Sequence, residues 1–492
     1  MGDRAAGRAS APHGSDAAKY ESVIGLEVHV QLSTRTKMFC RCQNRFGAPP
    51  NSQTCPVCLG HPGTLPVINR AAVESAVRAG LACGSEIARY TKFDRKNYYY
   101  PDLPKNYQIS QYDLPICAGG VVDFFSGGRR RRVGLVRIHL EEDAGKNIHA
   151  AGLPESHVDL NRAGVPLLEV VSAPDLRTPE EAGAYLKMLR LIMVHLGVSD
   201  CNMEEGSLRC DANVSIRPRG SDQLETRTEI KNINSFSFVM SALEYEIGRQ
   251  IEVREGGGKI VQETRLYDSA RDETRPMRGK EEAHDYRYFP EPDLAPIEID
   301  EGWLARLREG MPPLPIARMD RYMNECGLPY YDADVLVQDR QVAEYFEECL
   351  KLSPSAKALS NWLINEVFGL MNQQKLGIRE LGLPPGRLVE LVQSVESGTV
   401  SKAGGRDLFP RIVGSTRPIA EIVAEMGIAQ VSDDSFIRRE VEAVVAENPS
   451  VVEDLRKGKK NAQNFLVGQV MRRTKGKANP AAVSEMIGKI TG

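Results

Sequence analysis

Residues 24–32 read IGLEVHVQL, a strict alternation of apolar and other side chains. Every second residue is apolar, whereas Glu27 and His29 lie on the opposite side of the alternation. A period of two is the pattern of a β-strand that buries one face and leaves the other free. A carboxylate beside an imidazole on the free face suits either plain solvent exposure or a bound metal ion. The stretch therefore predicts a half-buried strand and leaves these two interpretations open.

The first part of the chain has the pattern of a sheet domain. Short strand-like segments, broken by glycine, proline and asparagine, continue from residue 23 to about residue 298. One helix is predicted after Thr178, where a capping box precedes Pro179, and it runs to Gly197. A second helix is predicted from near Ser235 to the glycines at 256–258. We therefore predict an α+β fold, with a mainly antiparallel β-sheet cradle domain and interspersed helices.

The second part of the chain is helical in pattern. Beyond about residue 298, apolar residues recur every three or four positions, as in amphipathic helices. The stretch SGTVSKAGGRD at 397–407 predicts a loop, with a break near Phe409-Pro410. Short helices are predicted from Asp433 or Asp434, through NAQNFLVGQVMRRT, and after Asn479-Pro480. We predict a disordered extension and three domains: 1–20, 21–297 (cradle), 298–415 (all-α) and 416–492 (small helical tail).

Composition narrows the class of protein. The 492 residues exceed what one core serves comfortably, so two or three domains are expected. No apolar run approaches the roughly 18 residues of a spanning helix, and no secretory signal follows the first residues. The sequence therefore predicts a cytoplasmic protein without membrane contact. Because the formal net charge is only −3, any nucleic-acid surface must be local.

Four of the ten cysteines form two close pairs. Cys40 and Cys42 are separated by twelve residues from Cys55 and Cys58. Two such pairs are the usual arrangement of a tetrahedral Zn²⁺ site, and four cysteine ligands leave no open position, so the role would be structural. Incidental pairs or a redox dithiol are the alternatives.

Several strands carry charged residues on one side. In VRIHLEEDAGK, Val136, Ile138 and Leu140 alternate with polar residues, and SLRCDANVSIR and ETRTEIKN show similar patterns. If these strands are neighbours, their polar faces converge. Crowded carboxylates with an imidazole would suit Mg²⁺ or Mn²⁺, although an exposed sheet face is polar by default. The residues concerned are Glu27, His29, Glu141 or Glu142, Asp211 and Glu229.

Two further regions have the composition of nucleotide or RNA sites. Lys96 and Lys105 lie among five tyrosines in DRKNYYYPDLPKNYQISQY, which suits either a nucleotide or RNA end or a tyrosine-rich core loop. Residues 451–492 contain nine basic and three acidic side chains, a net +6. This basic helical tail predicts contacts with phosphates, and a solvated tail is the alternative.

Long motifs along residues 25–294 resemble one known family. In order they read GLEVHVQL, NYYYPDLPKNYQISQ, LEEDAGK, DLNRAGVPLLEVVSAPD, MEEGSLRCDANVSIR, TEIKNINSF and DYRYFPEPDL. Together they closely resemble the GatB family, the B subunits of the tRNA-dependent amidotransferase GatCAB. The helical region and basic tail resemble that family's helical and YqeY-like parts. The archaeal GatE relatives fit less well, because no large insert separates the cradle from the helical region.

The resemblance implies an activity and its cofactors. Family members use ATP to phosphorylate the side chain of glutamate or aspartate wrongly attached to tRNA(Gln) or tRNA(Asn). Ammonia, released from glutamine in the GatA subunit and channelled to GatB, then displaces phosphate, while GatC holds the two larger subunits together. Phosphorylation makes a carboxylate electrophilic, and bringing ATP to it requires a metal ion. ATP, Mg²⁺ or Mn²⁺, and structural Zn²⁺ are the implied cofactors.

The resemblance also implies residue roles. The family's metal-binding and catalytic positions match the cradle residues already named: Glu27, His29, Glu141, Glu142, Asp211 and Glu229. Lys96 and Lys105 match positions near the phosphate and the ammonia gate, and the four cysteines match its zinc site.

Two other functions are weighed against this one: a tRNA-binding scaffold with a vestigial metal face, and a free-standing metal-dependent phosphotransferase. The choice between Glu-tRNA(Gln) and Asp-tRNA(Asn) depends on which synthetases the cell has.

Overall fold

The alternating stretch IGLEVHVQL lies in a strand of 12 residues at the centre of a large sheet. The structure, a computed structural model, describes residues 19–149, 155–277, 285–430, 434–457, 459–474 and 478–491. The predicted N-terminal extension lies outside the described residues, except for its last two positions.

The described strands, in chain order, are β1 Tyr20–Gln31, β2 Glu86–Ile87, β3 Tyr90–Thr91, β4 Asp94–Asn97, β5 Tyr107–Ser110, β6 Cys117–Ala118, β7 Val121–Ser126, β8 Arg129–Glu142, β9 Lys146–His149, β10 Ser156–Asp159, β11 Pro166–Ser172, β12 Leu208–Pro218, β13 Thr228–Ile233, β14 Thr264–Asp268, β15 Glu273–Pro276, β16 Phe289–Pro290 and β17 Ile297–Glu298. The main sheet has the order β15-β14-β13-β12-β1-β11-β8-β6-β2, and β7 pairs with β8. Its described pairs are antiparallel except β13–β14, which is parallel. This arrangement places β1 between β11 and β12.

The described helices, in chain order, are α1 Arg70–Ala82, α2 Pro179–Leu196, α3 Phe236–Glu255, α4 Glu301–Glu309, α5 Pro315–Asn324, α6 Tyr330–Val337, α7 Arg340–Leu352, α8 Ala356–Trp362, α9 Phe368–Gln374, α10 Pro385–Glu396, α11 Lys402–Ile412, α12 Ile419–Met426, α13 Asp434–Glu447, α14 Pro449–Arg456, α15 Lys460–Arg473 and α16 Pro480–Thr491. A short π-helical turn, Leu363–Val367, connects α8 and α9. No described helix combines the length and apolar character that a membrane crossing requires.

The apolar face of the sheet is buried against helices. α1, α2 and α3 contact strands of the sheet, and the aliphatic residues of β1 between Val23 and Val30 and of β12 between Leu208 and Ile216 are at most 4% exposed. Thr178 caps the helix as predicted, since the Glu181 N–H donates to Thr178 Oγ1 at 3.2 Å, but the Glu181 carboxylate accepts the Arg177 N–H at 2.9 Å rather than that of Thr178. α2 ends before Gly197, whose left-handed φ of 69° favours glycine. Both helices predicted for this half are confirmed, as is the α+β fold class.

One detail of the predicted alternation in β8 is wrong. Val136 is 52% exposed, whereas Leu135 is buried. The register of β8 against β11 shifts between Val171 and Ser172, so Leu135 takes the inward position at this end of the strand. Ile138 and Leu140 are fully buried, as expected.

The predicted loop at 397–407 is also wrong in its second half, because α11 begins at Lys402. Ser401 caps this helix by accepting the Gly404 N–H at 3.0 Å. Gly405 is buried, and a Cβ there would lie 3.2 Å from the Trp362 ring. The glycines that suggested a loop instead allow the helix to pack closely.

The chain divides into two compact units, Met1–Arg318 and Met319–Gly492. Within the second unit, α13–α16 enclose their own apolar cluster, which includes Ile437, Leu466 and Ile487. The helices predicted at Asp434, across NAQNFLVGQVMRRT and after Asn479 are confirmed. The three predicted domain boundaries stay a prediction.

Candidate functional site

Three neighbouring strands bring imidazoles and carboxylates into one row. His29 on β1 lies opposite Glu169 on β11, and Glu169 lies opposite His139 on β8. Glu141 is two residues further along β8, so its side chain is on the same face as that of His139. We call these four residues the imidazole–carboxylate cluster: His29, His139, Glu141 and Glu169.

The cluster is compact and almost closed to solvent. His29 Nε2 lies 3.4 Å from Glu141 Oε1 and 3.4 Å from Glu169 Oε2. His139 Nε2 lies 3.3 Å from Glu169 Oε2 and 3.7 Å from Glu141 Oε2. His139, Glu141 and Glu169 are buried, and His29 is half-buried. The polar side of β8, expected to be free, is thus enclosed at this end of the strand.

The charges in the cluster stabilise one another. Burial by itself lowers the pKa of His29, but the carboxylates of Glu141 and Glu169 beside it outweigh burial and raise that pKa to about 10. Burial by itself raises the pKa of each carboxyl group, but the two histidines hold both pKa values well below the ordinary range. The two carboxylates therefore favour a positive charge at this position, which either the His29 proton or a bound metal cation can supply.

The donor set suits a divalent cation. The ligand atoms of His29, Glu141 and Glu169 all lie within 4.8 Å of one another. Their 3.4 Å separations exceed the roughly 2.7–3.2 Å of good N–H···O hydrogen bonds, so the atoms face one another loosely. Two carboxylate oxygens and one imidazole suit Mg²⁺ or Mn²⁺.

The other acidic residues predicted for this face lie beside the cluster. Glu27 is opposite Asp211, and Lys231 Nζ lies 2.8 Å from Asp211 Oδ2 and 3.0 Å from Glu229 Oε1. Burial, followed by the charge of Glu169, raises the pKa of Glu27. The Asn213 amide donates to Glu27 at 3.0 Å. The structure therefore brings Asp211 and Glu229 together around one lysine, with Glu27 opposite Asp211 on the neighbouring strand.

Glu142 is separate from this group. Successive residues of a strand point to opposite faces, so Glu142 lies on the side away from Glu141. Its carboxylate pairs with Lys105 and accepts the Ile109 N–H at 3.0 Å. Lys105 and Glu142 line a cavity together with Cys40 and Cys58. The structure therefore groups Glu142 with Lys105 and the cysteines rather than with His29.

Lys96 lies between tyrosine rings and close to the cluster. Its Nζ is 4.9 Å from the centre of the Tyr286 ring and 5.8 Å from that of Tyr98. Burial by itself lowers the pKa of Lys96, but the charge of Glu141 contributes most to the opposing effect, and the pKa is raised. Lys96 therefore presents a positive charge toward the carboxylates.

The four predicted zinc ligands converge. The sulfur atoms of Cys40, Cys42, Cys55 and Cys58 all lie within 4.8 Å of one another, and Cys55 Sγ is 3.9 Å from Cys58 Sγ. A tetrahedral site with Zn–S bonds of about 2.3 Å places its sulfurs about 3.8 Å apart. A hydrogen bond with Cys40 outweighs burial and lowers the pKa of Cys58 to about 4. The residues fit Zn²⁺.

Comparison with known proteins shows the family. Residues 22–305 match a family model described as the GatB/GatE catalytic domain, and residues 344–490 match one described as the GatB domain. The chain belongs to the GatB family. The resemblance seen in the motifs is confirmed, and with it the assignment of the chain to the amidotransferases.

Individual GatB relatives cover nearly the whole chain. A protein of Carboxydothermus hydrogenoformans is 52% identical over 472 residues, which are 95% of this chain and 98% of the relative. A Geobacter sulfurreducens protein is 55% identical over 473 residues, 96% of this chain and 99% of the relative. Both relatives are named as the B subunit of an aspartyl/glutamyl-tRNA(Asn/Gln) amidotransferase.

Two residues of the imidazole–carboxylate cluster were not predicted from this GatB-family sequence. Glu169 is the single charge in the apolar strand PLLEVVS, and a lone carboxylate in such a run is itself a sign of a buried partner. His139 alternates with Ile138 and Leu140 in the same way as His29 alternates with its neighbours. The pattern placed His139 on the polar face but gave no sign that it would contact two carboxylates.

Proposed function

We propose that this GatB-family chain is the subunit that amidates Glu-tRNA(Gln), Asp-tRNA(Asn) or both. The relatives carry these tRNA names, and the chain matches them over almost their full length. The imidazole–carboxylate cluster is the observation that carries the proposal, because buried carboxylates facing a histidine suit a reaction that needs a metal ion. In this proposal ATP phosphorylates the tRNA-bound side-chain carboxylate, and ammonia then displaces the phosphate.

The proposed ligand sets follow the grouping of the side chains. His29, Glu141 and Glu169 would hold one divalent cation, and Glu27, Asp211 and Glu229 would provide further oxygen ligands beside it. When bound, the metal would neutralise phosphate charge and orient the transferred group. Lys231, between Asp211 and Glu229, keeps the second group compact. Lys96 would place its ammonium toward the phosphates.

Lys105 and Glu142 are proposed to act on the ammonia side of the reaction. Their ion pair lines a cavity on the opposite side of β8 from the cluster. In this cavity the Glu142 carboxylate can accept a hydrogen bond from incoming ammonia and take up the proton that the nitrogen loses as the amide forms, while the Lys105 ammonium holds that carboxylate in place. Glu142 would therefore matter for amide formation but not for metal binding.

The proposed assembly contains GatA, GatC and tRNA. GatA would release ammonia from glutamine and channel it to this chain, and GatC would hold the two together. The basic tail helices would contact the tRNA backbone through exposed side chains such as Arg456 and Arg472. Zn²⁺ at the four cysteines would brace the loop behind Glu142.

Neighbouring residues of β8 supply a matched test of this proposal. In the reconstituted complex, Glu141→Gln should weaken Mn²⁺ binding and abolish ADP release. Glu142→Gln should keep the metal affinity of the native protein but stop formation of amidated tRNA. Both variants should bind tRNA normally. If both variants amidate tRNA at the native rate, neither carboxylate takes part in the reaction and the catalytic assignment is wrong.

A further inference from the structure

Lys37 is a fully buried lysine next to the four-cysteine site. Its side chain has no exposure to solvent. The Nζ atom lies 3.7 Å from Cys58 Sγ and 3.4 Å from the carbonyl oxygen of Leu160. A lysine is almost never enclosed in this way unless an anion lies beside it.

The sulfur of Cys58 is the anionic partner available to Lys37. An ammonium removed from water without a counter-charge is strongly unfavourable, even after the protein relaxes. Among the described residues, no carboxylate lies within 4.0 Å of the Lys37 ammonium. Lys105, which borders the same cysteines across the cavity, is already paired with Glu142. The thiolate of Cys58 is therefore the negative charge that lies beside the Lys37 ammonium.

The negative charge of a four-cysteine zinc site would be partly neutralised by this contact. Four thiolates around Zn²⁺ carry a net charge of −2, and a buried net charge is unfavourable. One adjacent ammonium halves that charge and donates a hydrogen bond to a ligand sulfur. Partners that bond to metal ligands in this way fix their orientation and strengthen binding.

The backbone fixes Lys37 relative to the ligands. Its N–H donates to the carbonyl of Cys42 at 3.0 Å, and its own carbonyl accepts from the Asn69 side chain at 3.2 Å. Gly164 closes the other side, where a Cβ would lie 3.6 Å from Lys37 Cδ and 3.4 Å from Cys58 Cβ. The ammonium is therefore positioned before any metal arrives.

We propose that Lys37 is the charge partner of the four-cysteine site and that its ammonium strengthens metal binding through Cys58. This role rests on the proposed zinc site and is independent of the amidotransferase reaction. It also favours permanent thiolate ligands over a redox dithiol, since a buried ammonium loses its partner when the cysteines oxidise.

Zinc affinity of the full chain tests this role. Lys37→Met should lower the affinity about 10- to 100-fold in competition with a chromogenic chelator. Arg41→Met is the matched control, because Arg41 lies between two ligands but its side chain is exposed. It should change the affinity less than threefold. Lys37→Met with native affinity, or an equal loss in both variants, would overturn the role. A native chain without tightly bound zinc would instead refute the zinc site.

A thermodynamic cycle covers the case in which Lys37→Met folds poorly. Cys58→Ala removes the thiolate and leaves the Lys37 ammonium buried beside a methyl group. Adding Lys37→Met to Cys58→Ala should then raise the melting temperature of the zinc-free chain. The role is refuted if Lys37→Met lowers the melting temperature of Cys58→Ala as much as it lowers that of the native chain.

Discussion

Glu169 faces His29 across adjacent strands, and its Oε2 atom lies 3.4 Å from His29 Nε2. The strand register alone brings them together, because β1 and β11 pair with these residues opposite each other. Glu141 completes the arrangement from the next strand. A metal site at this position would be held by strands at the centre of the sheet rather than by loops, which places its ligands more precisely.

Removing the Glu169 charge should weaken metal binding. Glu169→Gln takes away one of two carboxylates in the cluster, so Mn²⁺ affinity measured by calorimetry should fall at least tenfold. Glu21→Gln is the control, since Glu21 is on the same face of β1 but pairs with Arg217 at 2.7 Å. Equal metal affinity in both variants would exclude Glu169 as a ligand.

A buried ion network should control the stability of the cradle at low pH. Burial by itself raises the pKa of Glu246, but hydrogen bonds from Arg249 and Gln250 outweigh it and hold the pKa below the ordinary value. Glu246 therefore stabilises the fold above pH about 4.3, and this contribution is lost as the pH falls through the lowered pKa. Glu246→Gln should cost about 3–5 kcal/mol at pH 7.

Denaturant unfolding measures this effect. The difference between the native chain and Glu246→Gln should shrink as the pH falls below about 4.3, because protonation removes the same charge. Glu244→Gln, an exposed residue on the same helix, should change stability by less than about 0.5 kcal/mol. A pH-independent difference for Glu246→Gln would argue against this electrostatic origin.

Loss of one cysteine ligand should release zinc and loosen the adjacent loop. Cys55→Ser should reduce bound zinc, measured by atomic absorption, from one equivalent to less than a tenth of that amount. Cys201→Ser is the control, because Cys201 is buried far along the chain from the two pairs. It should keep one equivalent. Zinc retained by Cys55→Ser would mean that the two pairs do not form one metal site.

Removing residues from 416 onward should weaken tRNA binding and flatten its salt dependence. Several basic residues of the tail already have acidic partners, such as Arg473 with Glu447 at 2.7 Å and Lys457 with Glu453 at 3.3 Å. The salt slope should therefore fall by fewer units than the number of basic residues removed. Filter binding at several salt concentrations measures the slope, and an unchanged slope would identify the tail as solvated surface.

The sequence was informative where a local pattern decides the structure. Alternation predicted β1 and its buried face, because a strand in the centre of a sheet needs apolar residues at every second position. The caps of α2 and α3 were visible because Thr178 and Ser235 bond to the backbone within three residues. The cysteine spacing predicted the cluster that the structure brings together.

Long-range packing could not be predicted from the same patterns. The face of β8 that carries Glu141 is polar in sequence, yet it is buried, partly because Ser110 of β5 covers it and bonds to Glu141 at 3.3 Å. The role of Glu169 depends on its contacts with strands that are far apart in the chain. Gly405 suggested a loop. Its close contact with Trp362, which explains the glycine, depends on a helix elsewhere in the fold and is not visible in the local sequence.

Amidation by the reconstituted complex tests the central claim most directly. The chain would be combined with GatA, GatC, glutamine, Mg²⁺ and ATP, and then given Glu-tRNA(Gln) or Asp-tRNA(Asn) in separate reactions. We expect amidated tRNA and ADP in equal amounts with at least one of the two, which also identifies the substrate. A folded complex that binds both tRNAs but forms neither product nor ADP would contradict the account.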